Sequence, residues 1–595
     1  MEKEKLKKNG VFFIMLILFI TKIFGFLKLR TIAQLFGASH ELDIFWAAFT
    51  IPDMLFMILV AGSINAAIIP IFSDIFYKKG KEKLDKFFNY LLIILSIIII
   101  FFALILFIFT PQITNFIIQS ETLQGFLNFS QRITDTDFKL FVDLTRIMLL
   151  SPILLSISSL ITAYLHIQKE FFTTSLAPLF YNIAMTIGPV ITVALLKMGV
   201  DGIAISAVIG SVLHLVIQIP KFLSHYKSKF ILSFRSVKEA FVDTHTWRAI
   251  KLAIPRTIGI IGEQINVVVN TLISFSLAAG ALSAYKFAIS LHLFPINIIG
   301  SAVAQVTLPD LAQHNSNRRK FIEILNKSIQ FSLYLIFPIV AILIVLRLPI
   351  VRLAYGSGAF DWRATILTAW CLILLALSIV GQTVVQIILR AFYALKETWL
   401  PLIAIVIGIL LNIFLAYYLT NFFSHYYDWR PILDRIFEQI STANGDGLWP
   451  VIKSFFKDII VWSTNRGTSD FAVGGLSLSL GITYFVEMII MMLLLNVKGK
   501  IITWKETIKP TLIKVLNTLI MGVGMYFVFK LFDFHLDTTR TFSIIVIFVV
   551  VSIYGLISYW LGSKIFRINE IESFEKKMVD LFNKFFRRKK DAESL

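Results

Sequence analysis

Long apolar blocks, separated by short polar or turn-forming breaks, dominate the pattern of this chain. A helix needs about 20 apolar residues to cross a bilayer, because each residue advances the helix by about 1.5 Å. Fourteen segments meet that requirement. They lie near residues 10–35, 44–74, 85–111, 139–167, 172–196, 201–222, 249–278, 281–311, 319–347, 365–394, 399–423, 471–497, 507–533 and 540–565. The pattern predicts an all-α polytopic membrane protein with 14 transmembrane helices.

The composition supports this class. Of the 595 residues, 57% are hydrophobic and only 16% are charged, whereas a soluble chain has about 25% charged residues. The basic start Met1–Lys8 followed by an apolar stretch resembles a secretory signal. That stretch is too long for a signal and runs on through Lys28 and Arg30, so we interpret it as a retained first helix. The single cysteine, Cys371, lies in an apolar run, which excludes a disulfide framework and a thiolate metal site.

The charge of the chain is strongly basic, with 56 Lys and Arg against 37 Asp and Glu and a formal net charge of +19. The basic residues are spread over many short loops, which argues against a nucleic-acid partner. An even number of spans places both termini on one side, and loops on that side hold about 34 Lys and Arg against about 12 on the other. Both termini are therefore expected to be cytoplasmic.

Two segments fall outside the predicted bundle. Residues 424–470 form a loop on the outer side, and its pieces Ile432–Ile440 and Val451–Trp462 are amphipathic. They predict two short helices that lie at the outer membrane surface. The tail from Asn569 onward is expected to form a basic amphipathic helix that lies on the anionic inner leaflet. The alternative is a tail that is fully surrounded by solvent.

Recognisable enzyme motifs are missing from the sequence. It contains no phosphate-binding glycine loop, no dinucleotide fingerprint and no zinc-ligand spacing. The scattered histidines define no Ser–His–acid grouping. These observations disfavour an ATP-driven pump and predict no cofactor and no metal. A carrier, a channel or a membrane-embedded enzyme remains.

Cations inside the predicted spans are the strongest pointers to function. Lys22, Lys28 and Arg30 surround Gly25 in the first span, and Lys286 lies in the eighth. Each charge at membrane depth costs a few kcal/mol unless it faces a partner or a hydrated cavity. A cluster of cations with few nearby carboxylates indicates an anionic occupant, and a diphosphate suits it because lysine and arginine bind phosphate oxygens as charge-assisted donors.

Several motifs recur in a fixed order from the first two spans to the last span, without the 424–470 loop and the tail. The most specific residues are Gly25-Phe26-Leu27-Lys28, Ala33, Phe36-Gly37-Ala38, Asp43, Phe45, Ala48-Phe49, Pro52, Gly62, Ala66, Pro70 and Arg390-Ala391-Phe392-Tyr393-Ala394. Supporting residues include Gly358-Ala359-Phe360 and Gly475-Leu476-Ser477-Leu478-Ser479. With these motifs the chain resembles the MurJ/MviN lipid II flippases.

The resemblance implies a fold of the MOP exporter superfamily: two six-helix lobes around a central cavity, plus two C-terminal helices that form a lipid-facing groove. The implied division is an N-lobe at 1–227, a C-lobe at 228–423 and 471–500, a loop insertion at 424–470, a groove at 501–566 and a tail at 567–595. The implied substrate is lipid II, the undecaprenyl-diphosphate-linked disaccharide pentapeptide. It would be moved by alternating access without ATP in the bacterial cytoplasmic membrane, with membrane lipids and cell-wall synthesis proteins as candidate partners.

The chain departs from the family pattern at the cations themselves. Lys22 and Lys28 stand where the family has arginines, so the charge is kept and the bidentate fork is lost. In the second span, an apolar region at Phe56–Met57 replaces the family's arginine. In the eighth span that arginine's position is Ser290, and Lys286 lies four residues earlier on the same helix face.

Three further residues complete the predicted site. Asp43, at the outer end of the second span, is expected to gate or position helices on that side. Arg256 and Glu263 do not belong to the family pattern; seven residues apart on one face, they are expected to tune the cavity charge or to take part in closure. Two other functions stay open: export of another undecaprenyl-diphosphate-linked glycan of the O-antigen type, and a non-transporting membrane scaffold whose outer loop binds a partner.

Overall fold

The computed structural model describes residues 2–61, 68–119, 134–226, 234–428, 434, 437–438, 449–499, 504–572 and 575–576. Within these ranges the regular structure is helical and includes no strand. The predicted all-α class is therefore confirmed.

The helices of the first half of the chain follow the predicted apolar segments closely. They are α1 (Glu2–Phe36), α2 (His40–Phe56), α3 (Ile69–Lys79), α4 (Lys81–Gln119), α5 (Asp135–Met148), α6 (Leu150–Ile167), α7 (Phe171–Pro189), α8 (Asp201–Val216), α9 (Ile219–His225), α10 (Phe234–Val242) and α11 (Thr244–Phe275).

The second half continues in the same way. Its helices are α12 (Ala281–Pro295), α13 (Ser301–Gln313), α14 (Arg318–Val345), α15 (Arg347–Tyr355), α16 (Trp362–Ala394), α17 (Trp399–Ser424), α18 (Trp449–Thr464), α19 (Val473–Gly499), α20 (Lys509–His535) and α21 (Thr541–Ile565). In the 424–470 loop, the predicted helix at Val451–Trp462 lies within α18, and most of the predicted helix at Ile432–Ile440 lies outside the described residues.

Three of the membrane helices pass into short π-helical turns, Met57–Ala61, Val190–Leu195 and Ile296–Gly300. The second and third turns directly follow Pro189 and Pro295, and the first begins five residues after Pro52. Proline has no backbone N–H and its ring clashes with the carbonyl four residues earlier, so each proline also interrupts the hydrogen-bond ladder of the α-helical turn before it.

Twelve helical stretches of the described chain are long and apolar enough to cross a membrane. They coincide with 12 of the predicted segments. The remaining two predictions, near 10–35 and 249–278, fall in α1 and α11, and the apolar part of α11 is the shorter stretch Gly259–Phe275. The multi-pass membrane character is confirmed, and a total of 14 spans stays a prediction.

The described helices divide into two compact units. Unit 1 comprises Met1–Ala284, Tyr355–Ala364 and Asn421–Val473. Unit 2 comprises Tyr285–Ala354, Thr365–Thr420 and Gly474–Leu595. The lobe boundaries implied by the family resemblance stay a prediction.

The core of unit 1 is rich in aromatic side chains. Phe88 and Tyr164 are fully buried and lie edge to face with ring centroids 5.1 Å apart, and Phe222 packs against both. The Tyr164 hydroxyl donates a hydrogen bond to Asp85 at 2.5 Å. Helices α4, α6 and α9 are joined by this cluster.

Unit 2 buries two apolar clusters. One joins α13, α14, α16 and α19, and the other joins α14, α20 and α21. The second cluster also contains Ile568 and Ile571, which follow α21 and are almost fully buried. The first residues of the predicted tail thus belong to the core of unit 2, while residues 573–574 and 577–595 lie outside the described part.

Candidate functional site

Helix α1 packs along α7 within unit 1. The Asn182 side-chain amide donates to the Thr21 carbonyl at 3.4 Å, and the Thr186 hydroxyl donates to the Phe24 carbonyl at 3.3 Å. These contacts set the register of α1 against α7, and with it the position of the Lys28 side chain.

Lys28 is the predicted site residue whose surroundings are clearest. Its half-buried side chain holds Nζ 5.8 Å from the ring centroid of Tyr181, at the distance of a cation–π contact. Asp53 is close enough to act electrostatically on both Lys28 and Tyr181. Within unit 1, the residue after Pro52 therefore lies within electrostatic reach of the contact between Lys28 and Tyr181. The sequence had singled out Lys28, but not Tyr181 or Asp53 as its partners.

The other predicted cations are distributed differently. Lys22 is exposed and Arg30 is half-buried. At about 100° per residue, Lys22 and Arg30 leave α1 about 120° and about 160° around the helix from Lys28, so the three do not share one face. Lys286 is half-buried in α12 and belongs to unit 2.

Arg256 and Glu263 both lie in α11, as predicted. Glu263 is exposed. The Arg256 side chain lies outside the described part of the chain, so its pairing with Glu263 stays a prediction.

Asp43 binds the first turn of α12. Its carboxylate is 1% exposed. One oxygen accepts a hydrogen bond from the Gly280 amide at 2.7 Å, and the other accepts from the amide and the hydroxyl of Ser283 at 2.7 and 2.6 Å. The first amides of a helix have no acceptor within the helix and form its positive end. Asp43 therefore caps α12 from a different helix.

Two glycine motifs of the family resemblance meet backbone to backbone. Gly37 and Gly358 have φ values of +62° and +61°. The Ala359 amide donates to the Gln34 carbonyl at 2.9 Å. A Cβ on Gly37 would collide with the Ala359 carbonyl, and one on Gly358 with that of Gln34. Both the left-handed conformation and the close approach require glycine at these two positions.

Two arginines bind the turn between α11 and α12 (residues 276–280). Arg363 donates to the Ala279 carbonyl at 3.0 Å and forms an ion pair with Asp470 at 2.8 Å. Arg466 donates to the Ser276 hydroxyl at 2.9 Å. The turn whose Gly280 amide binds Asp43 is thus also held by Arg466, from the far end of the 424–470 loop.

A buried ion pair in unit 2 was not predicted. Lys514 in α20 is completely buried and lies 3.0 Å from Glu570, which follows α21. Lys514 also donates to the side chain of Gln330 in α14. A lysine alone in an apolar span signals a hidden partner because an unpaired charge is costly at that depth. The pair joins α14 and α20 to the segment that follows α21.

An ion-pair cluster lies between the predicted membrane spans of unit 1. Glu170, in the turn between α6 and α7, accepts from His225 at 2.9 Å and pairs with Lys221 at 3.1 Å. Burial alone would raise the pKa of Glu170, but the hydrogen bonds from His225 and Lys221 outweigh it and hold this pKa below its usual value.

Metal binding finds no support in the described ranges, where no group of three or more His, Cys, Asp or Glu side chains is arranged to hold an ion.

The amino-acid sequence of this chain is similar to those of several known membrane proteins. The sequence model of the family described as "Lipid II flippase MurJ" matches residues 32–427. A protein of Buchnera aphidicola subsp. Acyrthosiphon pisum described as "Probable lipid II flippase MurJ" is 28% identical over 408 residues, 68% of this chain and 77% of that protein. The "Lipid II flippase MurJ" of Burkholderia cenocepacia is 24% identical over 396 residues, 66% of this chain and 74% of that protein.

Solved structures show the same fold. The "Lipid II flippase MurJ, inward closed conformation" superposes with a TM-score of 0.68 at 24% identity, covering 94% of this chain and 99% of that chain. An inward-facing multidrug resistance MATE family transporter of the MOP superfamily reaches a TM-score of 0.58 at 14% identity, covering 80% and 94%.

The chain is a multi-pass helical membrane protein, and its fold is that of these two solved structures. The family match covers more than half of the chain and confirms the resemblance read from its motifs. The chain belongs to the MurJ family of lipid II flippases.

Proposed function

We propose that this protein moves lipid II, the undecaprenyl-diphosphate-linked peptidoglycan precursor, from the inner to the outer leaflet of the bacterial cytoplasmic membrane by alternating access. The observation that carries the proposal is the position of Lys28, half-buried over Tyr181 and within electrostatic reach of Asp53, in a chain of this family. Both termini are cytoplasmic in this proposal, and the groove for the lipid tail is formed by α20 and α21.

Lys28 binds the diphosphate in this mechanism. A half-buried ammonium at membrane depth needs a counter-charge, which Asp53 supplies before substrate arrives. A diphosphate carries more negative charge than one carboxylate and offers several acceptors to the three ammonium donors. It therefore competes with Asp53 for Lys28. Because Asp53 adjoins Pro52 within α2, four residues before the π-helical turn, this exchange couples substrate binding to a change in this interrupted helix.

The remaining predicted residues have supporting roles. Lys22, Arg30 and Lys286 add positive charge along the path of the head group. Arg256 and Glu263 tune that charge or take part in closure. Release of the first turn of α12 from Asp43 accompanies opening on the outer side, which the three hydrogen bonds to its carboxylate support.

The test is complementation of a flippase-depleted bacterium, followed by lipid II translocation in proteoliposomes. Wild type and Lys28→Arg are expected to rescue growth, because both keep the charge. Lys28→Ala is expected to lower translocation about 10- to 100-fold, since a charge-assisted hydrogen bond contributes about 1.5–3 kcal/mol. Lys327→Ala is the matched control, because Lys327 is an exposed lysine paired with Glu323 one helical turn away.

The outcomes separate the function from the site. Failure of a correctly inserted wild-type chain to rescue growth or to move lipid II would overturn the assigned function. Full activity of Lys28→Ala would leave the function in place and remove Lys28 from the site. Activity that survives Lys28→Ala in cells but disappears on deletion of 424–470 would favour the non-transporting scaffold.

A second substrate is favoured by one observation. The family resemblance implies that Lys22 and Lys28 stand where the family has arginines, so the bidentate fork that fits a phosphate is lost at both positions. A looser diphosphate site suits another undecaprenyl-diphosphate-linked glycan of the O-antigen type. Competition between that glycolipid and labelled lipid II in the same proteoliposomes distinguishes the two substrates.

A further inference from the structure

Helix α18 carries a stripe of large apolar side chains that are exposed among the described residues. Trp449, Phe456 and Ile460 are 73%, 59% and 63% exposed. At about 100° per residue, the three side chains leave the helix within about 40° of one another, and they extend over about 17 Å of its length. Lys453 and Lys457, also exposed, both lie beside this stripe, about 20° and about 60° around the helix from Ile460.

The C-terminal end of α18 is fixed to the end of α17. The Asn421 side-chain amide donates to the Ser463 carbonyl at 3.3 Å, and the His425 ring donates to the Asn465 carbonyl at 3.1 Å. Trp462, on another side of the helix, is buried next to the His425 ring, with the centroids 6.3 Å apart. The helix is therefore attached to unit 1 by one side and one end, while its apolar stripe faces away.

This attachment places α18 at a membrane boundary. Helix α17 is a candidate span that ends at Ser424, and the next candidate span begins at Asp470, six residues after the end of α18. A helix that stood away from the boundary would leave the whole stripe in water, whereas a helix that lies along the boundary buries all of it. Exposed Tyr426 and Tyr427 beside the attachment point are typical of residues at the lipid head-group level.

We propose that α18 lies in the outer leaflet of the membrane, with Trp449, Phe456 and Ile460 among the lipid chains and Lys453 and Lys457 at the phospholipid phosphates. A contiguous exposed apolar surface indicates a membrane or a protein partner. The lysines favour anionic phospholipid, because a lysine stem can lie along the chains while its ammonium reaches the head groups. The proposal concerns the 424–470 loop and does not depend on which substrate the protein moves.

Single-cysteine labelling of the full chain in vesicles of phosphatidylethanolamine and phosphatidylglycerol tests this position. The native cysteine, Cys371, is buried, so the parent chain measures background labelling. Phe456→Cys and Ile460→Cys carry an environment-sensitive fluorophore, and Val461→Cys is the matched control. Val461 is apolar and 44% exposed, but it points about 100° away from Ile460 around the helix.

The labels at 456 and 460 are expected to emit at shorter wavelength and to be quenched several-fold more by nitroxide phospholipid than the label at 461, which iodide quenches from water. Equal iodide quenching at all three positions would overturn the proposal. So would protection at 456 and 460 that arises only when a membrane extract supplies other proteins.

The double variant Lys453→Glu, Lys457→Glu tests the role of the two lysines. It is expected to weaken the wavelength shift in phosphatidylglycerol vesicles and not in phosphatidylcholine vesicles. An unchanged shift in both kinds of vesicle would remove the lysines from the proposal. Thermal unfolding of each variant establishes that the chain is folded.

Discussion

The capping of α12 by Asp43 yields a prediction that can be worked out from the structure. Asp43→Ala removes the acceptor of the Gly280 amide, the Ser283 amide and the Ser283 hydroxyl. Each buried amide that loses its acceptor costs about 1–3 kcal/mol, and the interaction of the carboxylate with the positive end of the helix is lost as well. We expect the first turn of α12 to lose about 3–5 kcal/mol of local stability.

Hydrogen–deuterium exchange of the peptide containing residues 277–284 measures this change directly. A loss of about 3 kcal/mol corresponds to exchange about 100-fold faster. Ser283→Ala is the matched control, because it removes one of the three hydrogen bonds and is expected to cost only about 1 kcal/mol. Asp43→Asn keeps a side-chain oxygen and loses the charge, so its exchange rate is expected to lie between those of the other two variants. Unchanged exchange in Asp43→Ala would refute the role of this carboxylate as the cap of α12.

Three further changes test other parts of the structure. Gly37→Ala is expected to lower stability by about 2–3 kcal/mol, because the φ of Gly37 is positive and the new Cβ would collide with the Ala359 carbonyl. Gly259→Ala is the control, because this helical glycine has open space around it and alanine favours a helix by about 1 kcal/mol. Equal melting temperatures of the two variants would contradict the close approach at Gly37. Lys514→Ala leaves Glu570 without its buried partner and is expected to cost about 3–5 kcal/mol, whereas Lys514→Met combined with Glu570→Leu is expected to recover most of that loss in thermal unfolding. The lowered pKa of Glu170 stabilises the folded state, and this stability is fully present above the unfolded pKa of about 4.5 and is lost as the pH falls through the folded pKa. Glu170→Gln is expected to reduce this loss of stability at acid pH. An unchanged dependence of the melting temperature on low pH in Glu170→Gln would contradict the role of Glu170.

The sequence alone predicts that the protein spans a membrane and where its helices lie, because the length of an apolar run is a local property of the chain. The family motifs also identified Gly37, Gly358 and Asp43 before any contact was known. Their physical reasons became visible only in the fold, where the two glycines bring distant backbone segments together and Asp43 meets an amide 237 residues further along the chain. No pattern in the sequence specifies which helix end a buried carboxylate will face.

The cations inside the membrane spans show best what the sequence determines and what only the fold decides. Lys22, Lys28 and Arg30 could be read as one cluster from their spacing, since all three lie within one predicted span. Because of the helical turn, these three side chains leave α1 on different faces. The packing of α1 against α7 places Lys28 alongside Tyr181. Lys514 was a lone charge in an apolar run until the chain folded back and brought Glu570, 56 residues away, to its ammonium group. The sequence by itself determined that charge would be present at membrane depth, because residue type and hydropathy are written along the chain. Only the tertiary structure decided which partner each charge has, because that choice depends on contacts between helices far apart in the chain.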